Sequence, residues 1–315
     1  MFPENLLSAL DFSRQQLDSL FALADRYAED PPRELLRGLT VCTFFYEPST
    51  RTRLTFEAAA QRLGAHVLSV PDAKVSSVVK GETIEDTAVI LSGLADRERL
   101  ADLVIFRHPE VGSVARAAAK ATIPVINAGD GEGEHPSQTA LDLYTLERKL
   151  GSIDGLHIAM VGDLCYGRTP HSLGRGLSLY EGVHVYLVAP SELAAPEELV
   201  AELVSRGIRV HQTENLDEVL PHARVFYVTR VQKERIKDAD RYSHLKGCYR
   251  IDGRCLDAMR PDALIMHPLP RVDEIAPEVD DDSRAIYFEQ ACNGIPVRKA
   301  ILAEMLNRAR YRGQA

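Results

Sequence analysis

Short apolar segments rich in β-branched residues alternate with helical segments along nearly the whole chain, and this alternation constrains the fold more than any other feature. The segments with strand character are 40–46, 66–70, 103–106, 124–127, 157–161, 183–188, 208–211, 225–229 and 263–266. The helical segments are 54–63, 85–94, 113–120, 138–150, 172–180, 197–205 and 296–312. Strands that alternate with helices form parallel sheets with right-handed crossovers. The sequence therefore predicts the α/β class.

The length of the chain, 315 residues, is typical of two domains rather than one. The predicted strands divide into four and then five at about Glu134. We therefore predict two doubly wound domains, 1–134 and 135–290, each with a central parallel sheet flanked by helices. The last helical segment could pack on either half, and we expect 291–315 to return to the first.

The balance of charge excludes several classes of partner. The formal net charge is −9, from 37 Lys and Arg against 46 Asp and Glu. An acidic chain without a basic tract is a poor candidate for binding nucleic acid or an anionic membrane surface. No apolar segment approaches the roughly 20 residues that span a bilayer, and no signal peptide is visible at Met1–Glu4. We expect a soluble, cytoplasmic protein.

The cysteines show neither a disulfide framework nor a metal site. They are odd in number and scattered: Cys42, Cys165, Cys248, Cys255 and Cys292. No pair has the CxxC spacing of a zinc site. We expect free, mostly buried thiols in a reducing compartment, with Cys165 as the one that could be exposed, and no metal.

Ligands of parallel sheets bind beyond the carboxyl ends of the strands, so the residues after each predicted strand are informative. Five of six such segments carry Arg, His or both, and the other carries Gly, Asp and then Arg168. The six segments are 47–53, 107–109, 129–138, 162–169, 230–232 and 267–271. Both halves therefore place cationic groups at one edge, as a protein that binds small anions would.

The segment 47–53, Glu-Pro-Ser-Thr-Arg-Thr-Arg, is the most specific of the six. It brings three hydroxyl side chains to the start of a helix: Ser49, Thr50 and Thr52. The N–H groups and dipole of a helix start attract anions, and Arg51 adds a fork of donors. Arg51 and Arg53 face roughly opposite sides of a helix, so only one can serve a given ligand. The segment alone is compatible with phosphate binding or with an ordinary helix cap beside two solvated arginines.

Other polar residues allow two interpretations each. The glycine-rich loop 130–134 is acidic and would repel phosphate, so we interpret it as a tight turn between the domains rather than a phosphate loop. His135 could be structural, although it shares a helix face with Gln138. Lys80 could be an ordinary surface lysine.

Taken together, these segments resemble the catalytic chains of the aspartate carbamoyltransferase family, within the aspartate/ornithine carbamoyltransferase superfamily. The matching segments cover nearly the whole chain: 45–53, 80–83, 107–109, 127–131, 135–139, 167–169, 229–235 and 267–271. Arg-Val-Gln-Lys-Glu-Arg at 230–235 and His-Pro-Leu-Pro at 267–270 favour the aspartate enzymes. Ornithine enzymes typically have His-Cys-Leu-Pro at the last site, where position 268 here is Pro.

The resemblance implies transfer of the carbamoyl group of carbamoyl phosphate to L-aspartate, giving N-carbamoyl-L-aspartate and phosphate in pyrimidine (UMP) biosynthesis. It assigns carbamoyl phosphate to the first domain and aspartate to the second. The residues implied for carbamoyl phosphate are Ser49, Thr50, Arg51, Thr52, Ser76, Arg107, His135, Gln138, Leu269 and Pro270. Those implied for aspartate are Lys80, Arg168, Arg230 and Gln232. Those implied for catalysis are Arg51, Thr52, Lys80, Arg107 and His135.

The resemblance also implies an assembly. Ser76 and Lys80 resemble loop residues that reach into a neighbouring subunit's site, so a homotrimer with shared sites is implied. Regulatory chains or a dihydroorotase are possible partners, and no cofactor is expected. The sequence departs from the family pattern at Val79, at Cys165 and at 96–99. A carbamoyltransferase for another amino acid such as ornithine, and an inactive scaffold homologue, stay open as alternatives.

Overall fold

A computed structural model describes residues 2–72, 76–94, 97–233, 235–236 and 238–312. The chain divides into two compact units, Met1–Tyr144 with Asn293–Ala315, and Thr145–Cys292. The predicted domain boundary at 134 precedes a helix, whereas the units divide within that helix. Asp96 and Glu234, which belong to segments discussed above, lie outside the described residues.

The first unit is built on a parallel sheet that has four strands among the described residues. The strands are β1 (Thr40–Phe45), β2 (His66–Val70), β3 (Leu103–His108) and β4 (Val125–Asp130). Their order across the sheet is β2-β1-β3-β4. The chain therefore moves outward from β1 to β2 and then crosses back to β3, and the carboxyl ends of β1 and β3 flank the point where the winding reverses. Ligands of doubly wound sheets bind at such a point.

The second unit repeats this plan with a parallel sheet that has five strands within the described residues. The strands are β5 (His157–Val161), β6 (His184–Val188), β7 (Arg209–Thr213), β8 (Val225–Val228) and β9 (Leu264–Met266). Their order is β7-β6-β5-β8-β9, so the winding reverses between β5 and β8. Each predicted strand segment overlaps an observed strand, and the predicted fold class of two helix-flanked parallel sheets is confirmed.

Helices flank both sheets. They are α1 (Arg14–Glu29), α2 (Thr50–Arg62), α3 (Ile84–Ser92), α4 (Ser113–Ala118), α5 (Pro136–Leu150), α6 (Arg168–Leu177), α7 (Glu197–Ser205), α8 (Ala239–Leu245), α9 (Gly253–Ala258), α10 (Tyr287–Cys292) and α11 (Gly294–Arg312). Shorter 3₁₀ helices are Ala9–Asp11, Ser77–Lys80, Ser191–Leu193, Leu216–Glu218 and Pro277–Asp281. Four of the helices, α1, α8, α9 and α10, had no predicted counterpart.

The C-terminal helix α11 belongs to the first unit, where it packs on α1 and α2. Its apolar residues Val297, Ile301 and Leu306 are buried. Two cations of the same helix, Arg298 and Lys299, are also buried. Charged side chains are rarely fully buried without a partner, so we expect each of these two to make a polar contact inside the fold.

The cysteines differ in part from the prediction. Those in the described residues form no disulfide; Cys42 and Cys255 are buried, Cys165 is half-buried, and Cys248 and Cys292 are exposed. The expectation that most thiols are buried is therefore wrong, because Cys248 lies beside an exposed glycine turn and Cys292 at the exposed end of α10. Of the helices in the described ranges, none combines the length and the apolar composition needed to cross a bilayer.

Candidate active site

The reversal point of the first sheet brings the segments after β1 and β3 side by side. Phe45 is the register partner of Arg107, and the N–H of Tyr46 donates to the carbonyl of Arg107 at 2.8 Å. The chain then passes Pro48 and enters α2 through Ser49. The Ser49 side chain makes no capping hydrogen bond, so its hydroxyl is not used to close the helix start.

Thr52 and His135 meet at this edge although they are distant in sequence. The Oγ1 of Thr52 lies 3.4 Å from Nε2 of His135. The other ring nitrogen of His135, Nδ1, lies 3.4 Å from Oγ of Ser137. Both partners of the pair are buried, Thr52 with 6% and His135 with 3% of its surface exposed. The pair thus places a hydroxyl and an imidazole together between the first turn of α2 and the start of α5.

The two arginines of the first segment have different surroundings. The guanidinium of Arg53 forms an ion pair with Glu57 at 3.0 Å and donates to Oγ of Ser69 at 3.1 Å. Arg51 is exposed at the helix start. The guanidinium of Arg53 is thus directed to Glu57 and Ser69. That only one of the two arginines serves a ligand at the helix start stays a prediction.

Arg107 is the first of the two half-buried residues at the carboxyl end of β3, and groups on both sides hold its side chain. Its Nη1 donates to the carbonyl of Ala128 on β4 at 3.2 Å, and its Nε lies 3.6 Å from the carboxylate of Glu47. Only 14% of its side chain is exposed. Because these contacts come from the segments after β1 and in β4, the guanidinium is fixed between them at the carboxyl edge of the sheet.

Gln138 has one end of its amide fixed by a neighbour. Its Nε2 donates to Oδ1 of Asp142 at 2.9 Å, one turn further along α5. Asp142 is fully buried. Because a carboxylate oxygen can only accept, it selects the amide orientation in which the NH₂ faces Asp142. The oxygen of Gln138 is thereby turned away from Asp142 and is oriented as an acceptor.

The acidic loop after β4 is organised by its own carboxylate. Oδ1 of Asp130 accepts from Nδ2 of Asn127 at 2.9 Å and from the N–H of Glu134 at 3.0 Å, and Oδ2 accepts from Gly112. The Asp130 carboxylate thus accepts from backbone N–H groups that a phosphate loop would offer to its ligand. The loop lies inside the first unit and leads from β4 to α5, so the interpretation as a turn between domains is wrong.

Ser76 and Lys80 lie on a loop of the first unit that includes the 3₁₀ helix Ser77–Lys80. The hydroxyl of Ser76 accepts from the N–H of Val78 at 3.3 Å and caps that helix. Lys80 is exposed, and 66% of Val79 is exposed as well. The loop therefore presents its lysine and an apolar neighbour to the surface of the chain.

In the second unit, Asp163 links the segments that follow β5 and β8. Its carboxylate accepts from the N–H of Tyr166 at 2.9 Å and from the N–H of Gln232 at 3.2 Å. The side-chain amide of Gln232 donates to the carbonyl of Tyr166 at 2.9 Å. Burial raises the pKa of Asp163 above its ordinary value, although these N–H donors oppose the shift. Two hydrogen bonds of Gln232, to Asp163 and to Tyr166, thus join the two segments at the reversal point of the second sheet.

The two predicted aspartate-binding arginines flank this link. Arg168 is the first residue of α6, and Arg230 follows β8 after Thr229; both are half-buried. Gly162, with φ 115°, allows the close approach, because a Cβ there would collide with the carbonyl oxygen of Thr229. The structure therefore places Arg168, Arg230 and Gln232 around one edge of the second sheet.

Leu269 is held in an uncommon backbone conformation after β9. Its φ is 56°, and the Leu269–Pro270 peptide is cis. The N–H of Leu269 donates to Nδ1 of His267 at 2.7 Å, and Nε2 of His267 lies 2.7 Å from the carboxylate of Glu274. Because Nδ1 accepts, the imidazole carries its proton on Nε2 and donates it to Glu274. A positive φ at a non-glycine residue is typical of functional sites.

Glu274 anchors this arrangement from a buried position. Burial would raise the pKa of its carboxyl, but the hydrogen bond from His267 and the N–H groups of its own residue and Val272 outweigh burial and lower it. Both partners are almost inaccessible, with 1% of the His267 side chain and 7% of the Glu274 side chain exposed. The carbonyl groups of Leu269 and Pro270 are thus carried by a rigid turn.

Two family models match the chain in succession. The carbamoyl-phosphate-binding domain of the aspartate/ornithine carbamoyltransferases matches residues 4–148, and the aspartate/ornithine-binding domain of the same family matches residues 154–305. The chain belongs to the aspartate/ornithine carbamoyltransferase family. Nearly the whole chain is covered, and the first match ends close to the division between the two compact units.

Carbamoyltransferases named for aspartate are among the similar proteins. The aspartate carbamoyltransferase catalytic subunit of Methanocaldococcus jannaschii is 45% identical over 307 residues, 96% of this chain and 98% of the relative. A structure of the M. jannaschii catalytic subunit superposes with a TM-score of 0.86 at 44% identity, covering 97% of this chain and 99% of that one. Aspartate transcarbamoylase of Trypanosoma cruzi, solved with carbamoyl phosphate and aspartate, gives 0.88 at 38% identity over 96% of each chain.

Three supporting residues of this carbamoyltransferase were not identified from the sequence. Asp142 orients Gln138, Asp163 joins two segments, and Glu274 fixes His267. The i, i+4 spacing of Gln138 and Asp142 on a predicted helix was a usable signal. Asp163 acts through a contact with Gln232, 69 positions away, and Glu274 through a contact with His267, which is seven positions away and shares no helix with it. In the described residues, no group of three or more His, Cys, Asp or Glu side chains is arranged to hold a metal ion.

Proposed function

We propose that this protein transfers the carbamoyl group of carbamoyl phosphate to the amine of L-aspartate. The observation that carries the proposal is the buried pair of Thr52 and His135 at the carboxyl edge of the first sheet, beside Arg107. The name of the M. jannaschii relative and the ligands of the T. cruzi structure support aspartate as the acceptor. N-carbamoyl-L-aspartate and phosphate are the products.

The phosphate group binds at the start of α2. The hydroxyls of Ser49, Thr50 and Thr52, the first N–H groups of the helix and the guanidinium of Arg51 supply its donors. A helix start attracts an anion through both its N–H groups and its dipole. Ser49 fits this role, because its side-chain hydroxyl makes no capping hydrogen bond to the start of α2.

The carbonyl oxygen of the carbamoyl group is polarised by Thr52, Arg107 and His135. Attack of the aspartate amine on the carbonyl carbon produces a tetrahedral oxyanion. Donors fixed before the reaction stabilise that charge without reorganisation, and removing one such donor typically lowers kcat by about 10²–10³. Thr52 and His135 are already in contact, and Arg107 is held by Glu47 and Ala128, as fixed donors require.

The carbamoyl NH₂ group needs acceptors rather than donors. The oxygen of Gln138, oriented by Asp142, supplies one, and the backbone carbonyls of Leu269 and Pro270 supply the others. The hydrogen bonds of His267 to Leu269 and Glu274 hold that turn. Acceptors at this place distinguish an NH₂ group from a hydroxyl or methyl group.

Aspartate is bound through its two carboxylates by Arg168, Arg230 and Gln232. Arginine forms forked hydrogen bonds with carboxylates, and Gln232 is held by its hydrogen bonds to Asp163 and Tyr166. The C–N bond forms in the attack, the tetrahedral intermediate then collapses with cleavage of the C–O bond to phosphate, and phosphate leaves as an anion that can accept the amine proton. This route uses no side-chain nucleophile.

The active protein is a homotrimer in this proposal. Ser76 and Lys80 complete the site of a neighbouring subunit, Ser76 toward carbamoyl phosphate and Lys80 toward aspartate. Their position on an exposed loop supports the proposal. A cytoplasmic location, a place in pyrimidine biosynthesis, and association with regulatory chains or a dihydroorotase are further parts of it. Restored growth without uracil in a cell that lacks the activity would test the pathway.

The decisive experiment supplies carbamoyl phosphate together with aspartate or ornithine and measures the carbamoylated product. We expect carbamoyl-aspartate from the first pair and none from the second. The bisubstrate analogue N-(phosphonacetyl)-L-aspartate, which is bound in one T. cruzi structure, should inhibit far more tightly than either substrate. Turnover of ornithine alone would make it an ornithine enzyme, and no turnover of either acceptor would indicate an inactive scaffold.

A further inference from the structure

Arg298 is a buried cation on α11 whose guanidinium contacts α2, the helix that begins at the candidate site. Its exposed fraction is 2%. Nη1 donates to Oγ1 of Thr55 at 2.6 Å, and the guanidinium carbon lies 4.9 Å from the centre of the Phe56 ring. Gly294 makes room for it, because a Cβ at Gly294 would lie 2.5 Å from Nη1. The guanidinium is therefore enclosed on several sides by α2 and α11.

Burying this charge is costly, and its surroundings compensate only in part. Burial lowers the pKa of Arg298 to about 9, the negative charge of Asp142 opposes that shift, and the positive charge of Arg51 adds to it. Its Nε is buried without a hydrogen-bond partner among the described residues. An apolar side chain would fill the same space without these penalties, so packing alone does not explain an arginine here.

The first connection to the site runs through Thr55. The hydroxyl that receives the Arg298 hydrogen bond donates to the carbonyl of Arg51 at 2.6 Å and lies 3.2 Å from the carbonyl of Thr52. These carbonyls belong to the first turn of α2, which carries the proposed phosphate and oxyanion donors. By fixing the rotamer of Thr55, Arg298 fixes the backbone of that turn.

The second connection runs through Asp142. The charge of this fully buried carboxylate and the charge of the Arg298 guanidinium attract each other. Asp142 in turn accepts from Nε2 of Gln138 at 2.9 Å. The attraction restrains Asp142, so Arg298 supports the contact that orients the Gln138 amide.

We propose that Arg298 is a positioning residue for carbamoyl phosphate, holding the first turn of α2 through Thr55 and the amide of Gln138 through Asp142. The inference rests on the proposed function, since it names a further residue for that reaction. It predicts a defect in the use of carbamoyl phosphate, because both connections end at groups assigned to that substrate. Aspartate binding should change little.

The test replaces Arg298 by methionine and uses Lys299→Met as the matched control. Lys299 is the next residue of the same helix, and its ammonium, which is also buried, donates to the carbonyl of Tyr27. Misplacement of binding groups by about 1 Å can lower a rate 10²-fold, so we expect kcat/KM for carbamoyl phosphate to fall about 10- to 100-fold in Arg298→Met. Lys299→Met should lower the melting temperature yet keep kcat/KM within about threefold.

Two further variants keep the test informative if Arg298→Met fails to fold. Gly294→Ala retains the guanidinium but displaces it, and should weaken carbamoyl phosphate binding in calorimetry. Arg298→Lys keeps the charge without the fork and should recover part of the loss. Equal kcat/KM values in the Arg298 and Lys299 variants, or a defect confined to the KM of aspartate, would overturn the inference.

The inference and the proposed function fail in different ways. If the unsubstituted protein makes no carbamoyl-aspartate, the proposed function is wrong, whatever the variants do. If it makes carbamoyl-aspartate and Gly294→Ala and Arg298→Met bind carbamoyl phosphate with unchanged affinity, only the role of Arg298 is wrong.

Discussion

Oγ1 of Thr52 and Nε2 of His135 lie 3.4 Å apart although 83 positions separate the two residues in the chain. Thr52 belongs to the helix after β1, and His135 precedes the helix after β4. In the sheet order β2-β1-β3-β4, β3 lies between those strands and carries Arg107 near its carboxyl end. Thr52, Arg107 and His135 therefore lie at the same edge of the sheet.

Removing either member of this pair should reduce the rate of the chemical step. We expect Thr52→Val and His135→Ala each to lower kcat by about 10²–10³, because each removes a donor to the developing oxyanion. Steady-state assays at saturating carbamoyl phosphate and aspartate measure this effect. His66→Ala, which changes an exposed histidine on β2, should leave kcat unaltered. An unchanged kcat in both site variants would contradict the assignment of these donors.

The neighbouring arginines Arg51 and Arg53 offer a matched pair. Arg51→Ala should reduce kcat/KM for carbamoyl phosphate by more than about 10²-fold, because it removes a charged phosphate ligand. Arg53→Ala removes the same side chain from the opposite face, where it pairs with Glu57 at 3.0 Å, and should cost less than about fivefold. Inhibition by inorganic phosphate, measured for both, should weaken only in Arg51→Ala. Similar losses in the two variants would show that phosphate binding does not depend on which face of α2 carries the arginine.

Shared active sites predict that two inactive variants restore activity when mixed. Lys80→Ala removes the group that a subunit supplies to its neighbour, and Arg51→Ala removes a group of the subunit's own site. Hybrid trimers of the two, formed by unfolding and refolding a mixture, should contain intact sites and regain up to about a third of normal activity. The control is a double variant that carries both changes in one chain. It is refolded at a concentration matched to that of the unsubstituted protein. No regain in the mixture would indicate that each chain completes its own site.

The buried pair of His267 and Glu274 predicts a pH-dependent stability. Because the pKa of Glu274 is lowered in the folded state, the stability it contributes is present above its ordinary value of 4.5 and is lost as the pH falls through the lower folded pKa. We expect Glu274→Gln to reduce the free energy of unfolding by about 1.5–3 kcal/mol near pH 7.

Urea unfolding of the Glu274→Gln variant and the unsubstituted protein at several pH values measures this difference. The difference should stay constant from pH 7 to about 5.5 and shrink below about 4.5. The exposed pair of Lys149 and Glu289, 2.6 Å apart, supplies a control, since Glu289→Gln should cost less than about 1 kcal/mol. A difference that grows on acidification would have the wrong sign for an ionised Glu274.

Local patterns in the sequence predict most of the secondary structure, and the exceptions have local or non-local causes. Helix α1 was missed although its start carries a visible signal: Ser13 and Gln16 cap each other's backbone N–H groups. Helices α8, α9 and α10 are short and have few apolar repeats, so periodicity cannot reveal them. The strands were found because buried parallel strands consist of short apolar segments bounded by turns.

For the candidate site, the sequence supplies residue types and their order but not their supports. The resemblance assigned a role to each of Thr52, His135 and Gln138, and these assignments rest on motifs that are local in sequence. The contacts that support them, such as Arg298 with Thr55, join elements far apart in the chain. Such partners cannot be found from spacing, because burial and the crossing of helices decide which side chains meet.

The sequence by itself determined that this is an α/β protein with two parallel sheets and with Arg and His side chains in the segments after the strands, because hydrophobic periodicity and the residues that follow each strand are local properties. Tertiary structure alone decided that the winding of the first sheet reverses between β1 and β3, bringing Thr52, Arg107 and His135 to one edge. It also decided that Arg298 of α11 is buried in the first unit, with its guanidinium hydrogen-bonded to Thr55 of α2. These outcomes depend on burying apolar surface across the whole chain, which no short segment specifies.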